Sequence, residues 1–229
     1  MSHVSDTRRQ GDAFYGLAAQ SDGGELGVAL PVLVVQEFGA VVTLAPTGVC
    51  VNATGIAGGG ALSATGSLVS GGVATFDIPR NVTITSTGNN STLSFTVTGT
   101  DQYTKAQTET ITGPNATTVG GVKAFKTVTS VVSSTTVVAT ISVGTGDVYG
   151  TPWRLADKGK VLGFTIDGVP SANPTIVAGF TTTGTSTATT ADVRGTVTAT
   201  LASDGSRRFS VMAVVNPATK ETLYGVTPA

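Results

Sequence analysis

The chain has 229 residues, room for one large all-β domain or two small ones, with only 12% charged residues and a net charge of −1. That near-neutral balance, with no long basic run, argues against nucleic acid as the main partner, since phosphate recognition draws on clustered Lys and Arg. A single histidine, His3, and a single cysteine, Cys50, argue against hydrolase triads and the usual zinc and iron sites, and leave no intrachain disulfide.

Residues 1–39 show no clean period and are read as an N-terminal arm. The opening MSHVSDTRRQGDAF is polar and has no apolar segment of the secretory kind. The run Val28–Val35 is broken by Pro31 and falls far short of the ~20 residues that a membrane helix needs. No membrane is therefore expected, and the chain is placed in a cytoplasm or assembled there. Phe14 and Tyr15 put two aromatics into this polar arm, which makes them candidate contacts to a partner; packing on their own domain is an equal alternative.

From Ala40 onward, strand signals recur every 8 to 14 residues between Gly, Asn, Asp and Pro, the pattern of a β-sandwich or barrel. The predicted strands are Val41–Leu44, Gly48–Ala53, Ala61–Ser67, Val73–Asp77, Val82–Ser86 and Leu93–Thr98. They continue with Ala106–Ile111, Phe125–Val132, Thr136–Val143, Leu162–Ile166, Thr175–Phe180, Gly195–Leu201 and Phe209–Val215. About one residue in six is threonine, whose branched Cβ suits a strand while keeping its outer face neutral and wet. No sustained apolar stripe at helical spacing occurs, so helices should be short. Pro79, Pro114 and Pro152 are assigned to gaps between strands. GTD, TGD, IDG and SDG place Asp101, Asp147, Asp167 and Asp204 in turns.

The expected architecture is all-β. Residues 40–157 form a β-sandwich core, jelly-roll or immunoglobulin-like, behind the arm 1–39. Residues 158–229 add further strands or a small second β module, after the charged ADKGK breaks the threonine pattern.

No constellation carries chemistry. Cys50, flanked by Val49 and Val51, reads as a small buried hydrophobe, and the DxDxDG spacing of a calcium loop is absent. No catalytic, cofactor-binding or metal-binding residue is assigned, and no enzymatic activity is expected. Trp153 beside Arg154 has the composition of a binding hot spot, although core packing is the somewhat better reading of a lone tryptophan in a β domain. Tyr224, in the tail TLYGVTPA, is a further contact candidate.

FTVTGTDQYTKAQTETITGPN, KAFKTVTSV and SVGTGDVYGTPWRLAD, followed by TATTADVRGTVTA and DGSRRFSVMAVVNP, together resemble small β-rich virion proteins of tailed bacteriophages, of the head-decoration or capsid-cement type. The resemblance spans roughly residues 73 to 220 and rests on strand-and-turn patterns. It implies a protein of the virion surface that binds the major capsid protein of the assembled shell and stabilises it, as a homo-oligomer, dimer or trimer. It carries no site residues and implies no cofactor. A head–tail connector, tail or fibre component is the alternative virion role, and a carbohydrate-binding adhesin is the second alternative. The latter would need an aromatic platform, for example Tyr103, Tyr149 and Trp153 around one groove.

Overall fold

A computed structural model describes residues 32–155, 157–171, 174–179 and 192–215. Along the chain run β1 (Val32–Ala40), β2 (Cys50–Ala53), β3 (Val69–Ser70), β4 (Val73–Ser86), β5 (Ser94–Thr100), β6 (Ala106–Thr112) and β7 (Thr118–Gly120). They are followed by β8 (Phe125–Ser133), β9 (Ile141–Gly150), a single 3₁₀ turn at Lys158–Lys160, β10 (Val161–Ile166) and β11 (Val169–Pro170). The series ends with β12 (Thr175–Ala178), β13 (Gly195–Thr198) and β14 (Arg208–Val215). The fold is all-β and sandwich-like, built from curled antiparallel sheets.

The larger sheet has ten strands, in the order β12-β13-β9-β4-β8-β5-β6, with β2 added to β9 and with β3 and β7 added to β4. It curls around one core, where Phe76, Val82, Ile84, Phe95, Val97, Phe125, Ile141 and Val143 are almost wholly excluded from solvent. The smaller sheet runs β1-β14-β10-β11. Its inner face packs Phe38, Phe164, Phe209 and Val211 against Tyr149 and Val197 of the larger sheet, a second core between two layers. Tyr149 and Phe209 stack with ring centroids 5.3 Å apart. Alternation sets these faces: in β14 Phe209, Val211, Ala213 and Val215 are buried while Arg208 and Met212 are exposed.

Several sequence expectations are corrected. The last residues of the supposed arm are β1, paired antiparallel with β14 from Val32↔Val215 to Glu37↔Ser210. The strand hides in the sequence because VLVV is apolar on both faces, which erases the alternation that marks a half-buried strand. Val41–Leu44 and Ala61–Ser67 are not strands; Ala61 contributes only an isolated bridge to Val132. The two segments 73–77 and 82–86 are one strand, β4, and Pro79 lies inside it. The ladders to β8 and β9 both shift beside Arg80, so a bulge accommodates the missing N–H. Strands from 158–215 enter both sheets: β10, β11 and β14 join β1, whereas β12 and β13 extend the larger sheet beyond β9.

Gly99 marks another ladder shift, between Thr98 and Gly99 opposite β8. A Cβ there would lie 1.9 Å from the carbonyl oxygen of Thr127, so only glycine lets the two backbones approach. Gly99→Ala is expected to lower unfolding free energy by about 1–3 kcal/mol, the usual cost of forcing an extra carbon into a packed site, as read by thermal denaturation.

Candidate functional site

Of the predicted contact residues, Phe14, Tyr15 and Tyr224 lie outside the described residues. Trp153 and Arg154 are described, and both are buried. Trp153 fills the second core with Leu155, and its carbonyl accepts a hydrogen bond from the Thr151 hydroxyl at 2.8 Å. For Trp153 this is the core packing that is the better reading of a lone tryptophan, and only the surface-anchor alternative for the pair is corrected: the segment after β9 turns inward between the sheets and takes Arg154 with it. The aromatic platform also fails to form, because Tyr149 is buried in the same core.

The charged groups that the fold does assemble are internal. Arg80, 1% exposed, sits where β4 bulges. Its Nε donates to the Gly146 carbonyl, one terminal nitrogen donates to the Val42 carbonyl and to Asp77, and the other donates to Asp147 and the Ser203 hydroxyl. Asp147 further accepts from the hydroxyls of Tyr149 and Ser203. Burial together with this carboxylate pushes the Tyr149 phenol well above its ordinary value. Asp147 is therefore a strand residue aimed at an arginine, not the turn residue that TGD suggested.

A second network lies between the chain entering β13 and the turn after β5. Arg194 pairs with Asp101, and its guanidinium lies 4.7 Å from the Tyr103 ring centroid. Asp192, 5% exposed, accepts backbone N–H groups of Ala124 and Arg194, and desolvation raises its carboxyl above the ordinary value. Nearby, the Glu109 carboxylate of β6 accepts the backbone N–H groups of Val122 and Lys123. Burial pushes Glu109 up to about 7, and burial lowers Lys123. Gln107 donates to the Ala124 carbonyl, and the Lys123 ammonium donates to the Thr108 carbonyl. These side-chain bonds tie the outer edge of β6 to the segment 122–124, where no described strand pairs with it.

Where Glu109 ends, an open groove of about 340 Å³ runs between β6 and β7, lined by Glu109–Thr112 and Val119–Val122. Its walls are polar, and among the described residues no group of three His, Cys, Asp or Glu side chains is placed to hold a metal ion. Cys50 is buried, and desolvation raises its thiol above the ordinary value, which suppresses the reactive thiolate.

The surface that stands out is instead the outer face of the small sheet. Leu33, Val35, Leu162 and Met212 are exposed by 39%, 40%, 61% and 38%. The register collects them, because Val35 lies opposite Met212 on one side and Gly163 lies opposite Met212 on the other. Gly163 has no side chain to screen the methionine. This four-residue patch is the feature that the sequence reading missed. Its signal was present as Leu33 and Val35 alternating with Val34 and Gln36, but a strand with apolar residues on both faces gives no cue as to which face is wet.

Comparison of the chain with protein-family models, curated proteins and solved structures finds no match.

Proposed function

We propose that the chain is a structural protein of a virion, one that docks on the assembled capsid shell of a tailed bacteriophage and braces it. The observation that carries this reading is the apolar outer face of the small sheet, where four large hydrophobic side chains are exposed on a near-neutral protein. Solvent-facing apolar clusters of this kind mark contact surfaces more often than catalytic ones. The resemblance of the threonine-rich strands to decoration proteins supplies the kind of partner. The described arginines Arg80 and Arg194 support a bracing role, because each is spent on holding strands and turns together. A subunit with several such contacts gains effective concentration at each further site, so modest individual contacts suffice on a symmetric shell.

Co-sedimentation of the purified chain with shells lacking it tests the proposal. Saturable binding is expected, and Leu162→Asp combined with Met212→Asp should abolish it while leaving the melting temperature near that of the unaltered chain. Absence of binding by the unaltered chain, or binding indifferent to these substitutions, would overturn the reading.

A further inference from the structure

We propose that two copies of this chain associate through the outer edge of β1, pairing antiparallel about a two-fold axis at Val34. The smaller sheet would then continue through the axis as one eight-stranded sheet.

The edges of the fold point to this strand. In the larger sheet, the β6 edge is guarded by the side chains of Gln107, Glu109 and Lys123, which bridge it to residues 122–124. Its opposite edge, β12, has only four residues. In the smaller sheet, β11 is two residues long and ends in Pro170, which has no N–H to offer. Short edge strands and proline are the devices by which native sheets discourage pairing. β1 has neither: it spans nine residues, no described strand pairs with its outer edge, and Glu37 is its sole charge. Since β1 is the only long unpaired edge of the small sheet among the described residues, pairing there closes a dimer and does not propagate into a filament.

Side-chain alternation and charge select the register. Leu33, Val35 and Glu37 face outward, and a two-fold that keeps both outer faces on one side must fall on a residue. With the axis at Val34, Leu33 of one copy meets Val35 of the other, twice, at the roughly 4.5–5.5 Å typical of cross-strand neighbours. Glu37 then falls beyond the paired span Val32–Gln36, and the two glutamates stand roughly 20 Å apart, beyond the ~8 Å screening length of physiological salt. With the axis at Val35, each Glu37 would lie against a Leu33 and lose water without a partner. The first register also sets the two Val34 side chains together on the inner face, where Val34 packs against the second core, and it joins the two apolar outer patches into one.

The proposal does not rest on the capsid reading, because self-association and shell binding are measured separately. Sedimentation velocity of the full chain over a concentration series should show a dimer. Val35→Lys should give a monomer with unchanged far-ultraviolet circular dichroism, whereas Val138→Lys, at a site 76% exposed outside the edge, should remain dimeric. Under oxidation, the double variant Leu33→Cys, Val35→Cys should form a covalent dimer on a non-reducing gel. Val35→Cys alone should not, and neither should the unaltered chain, whose Cys50 is buried. A monomer at every concentration, or a Val35→Lys dimer, overturns the pairing, and a covalent dimer from Val35→Cys alone overturns the register.

Discussion

Arg80→Met is expected to lower the unfolding free energy by about 3–5 kcal/mol, the range measured when one partner of a buried ion pair is removed. All five guanidinium N–H groups are in use: Gly146 and Val42 carbonyls at 3.1 and 3.0 Å, Asp77 at 3.2 Å, and Asp147 and the Ser203 hydroxyl each at 3.0 Å. The acceptors come from β4, from the turn after β1, from β9 and from the loop before β14. One side chain therefore holds the larger sheet to the strand ends of the smaller one. Methionine fills a similar volume but leaves the Asp147 carboxylate, 15% exposed, without its cation. Arg80→Lys should recover only part of the loss, because an ammonium offers three donors and no planar fork. Urea titration followed by circular dichroism checks both, with the midpoint falling and the slope retained. A loss below 1 kcal/mol for Arg80→Met would mean that water replaces the guanidinium easily, against its burial.

How far such a site could be read in advance depends on sequence distance. Strands such as Ser94–Thr100 and Arg208–Val215 announce themselves, because alternation is local. Arg80 and Asp147 lie 67 positions apart, and Asp101 and Arg194 lie 93 apart, so nothing local marks them as partners. Glycine misleads for a related reason. TGD reads as a turn, yet the whole of GTGDVYG lies within β9. A Cβ at Gly144 would lie 2.0 Å from the Ala45 carbonyl oxygen, and one at Gly146 would lie 2.3 Å from the Asn81 amide oxygen. These glycines permit close approach by other segments and do not turn the chain. Asp101 and Asp204 were legible as turn residues because the turn bonds that hold them are local: Asp101 accepts the N–H groups of Tyr103 and Lys105, and Asp204 those of Ser206 and Arg207. Asp167 itself adopts a φ of +55° ahead of Gly168, as a tight hairpin between β10 and β11 requires.

Glu109→Gln is expected to stabilise the protein above neutral pH and to leave it little changed below pH 5. The Glu109 carboxyl, ordinarily near 4.5, is pushed up to about 7, first by burial and then by the negative charge of Asp192; the N–H groups of Val122 and Lys123 and the Lys123 ammonium oppose this. Its folded value thus exceeds its unfolded one, so below 4.5 both states hold the proton and the group contributes nothing to pH dependence. As pH rises from 4.5 towards 7, the unfolded chain ionises while the folded one resists, and stability falls, by an amount on the order of 3 kcal/mol in full. Asp192, also raised by burial, acts in the same direction. Lys123, lowered by burial, acts oppositely, since losing its proton relieves the folded state as pH climbs. The amide of glutamine still offers an oxygen to Val122 and Lys123 and carries no charge to desolvate. Unfolding free energies of both proteins should therefore diverge between pH 4.5 and about 7 and keep that gap up to pH 8.5, with the variant flatter and higher at the alkaline end. Parallel curves would mean that Glu109 ionises in the fold as readily as in water, and the edge of β6 would then be held by a carboxylate that water still reaches.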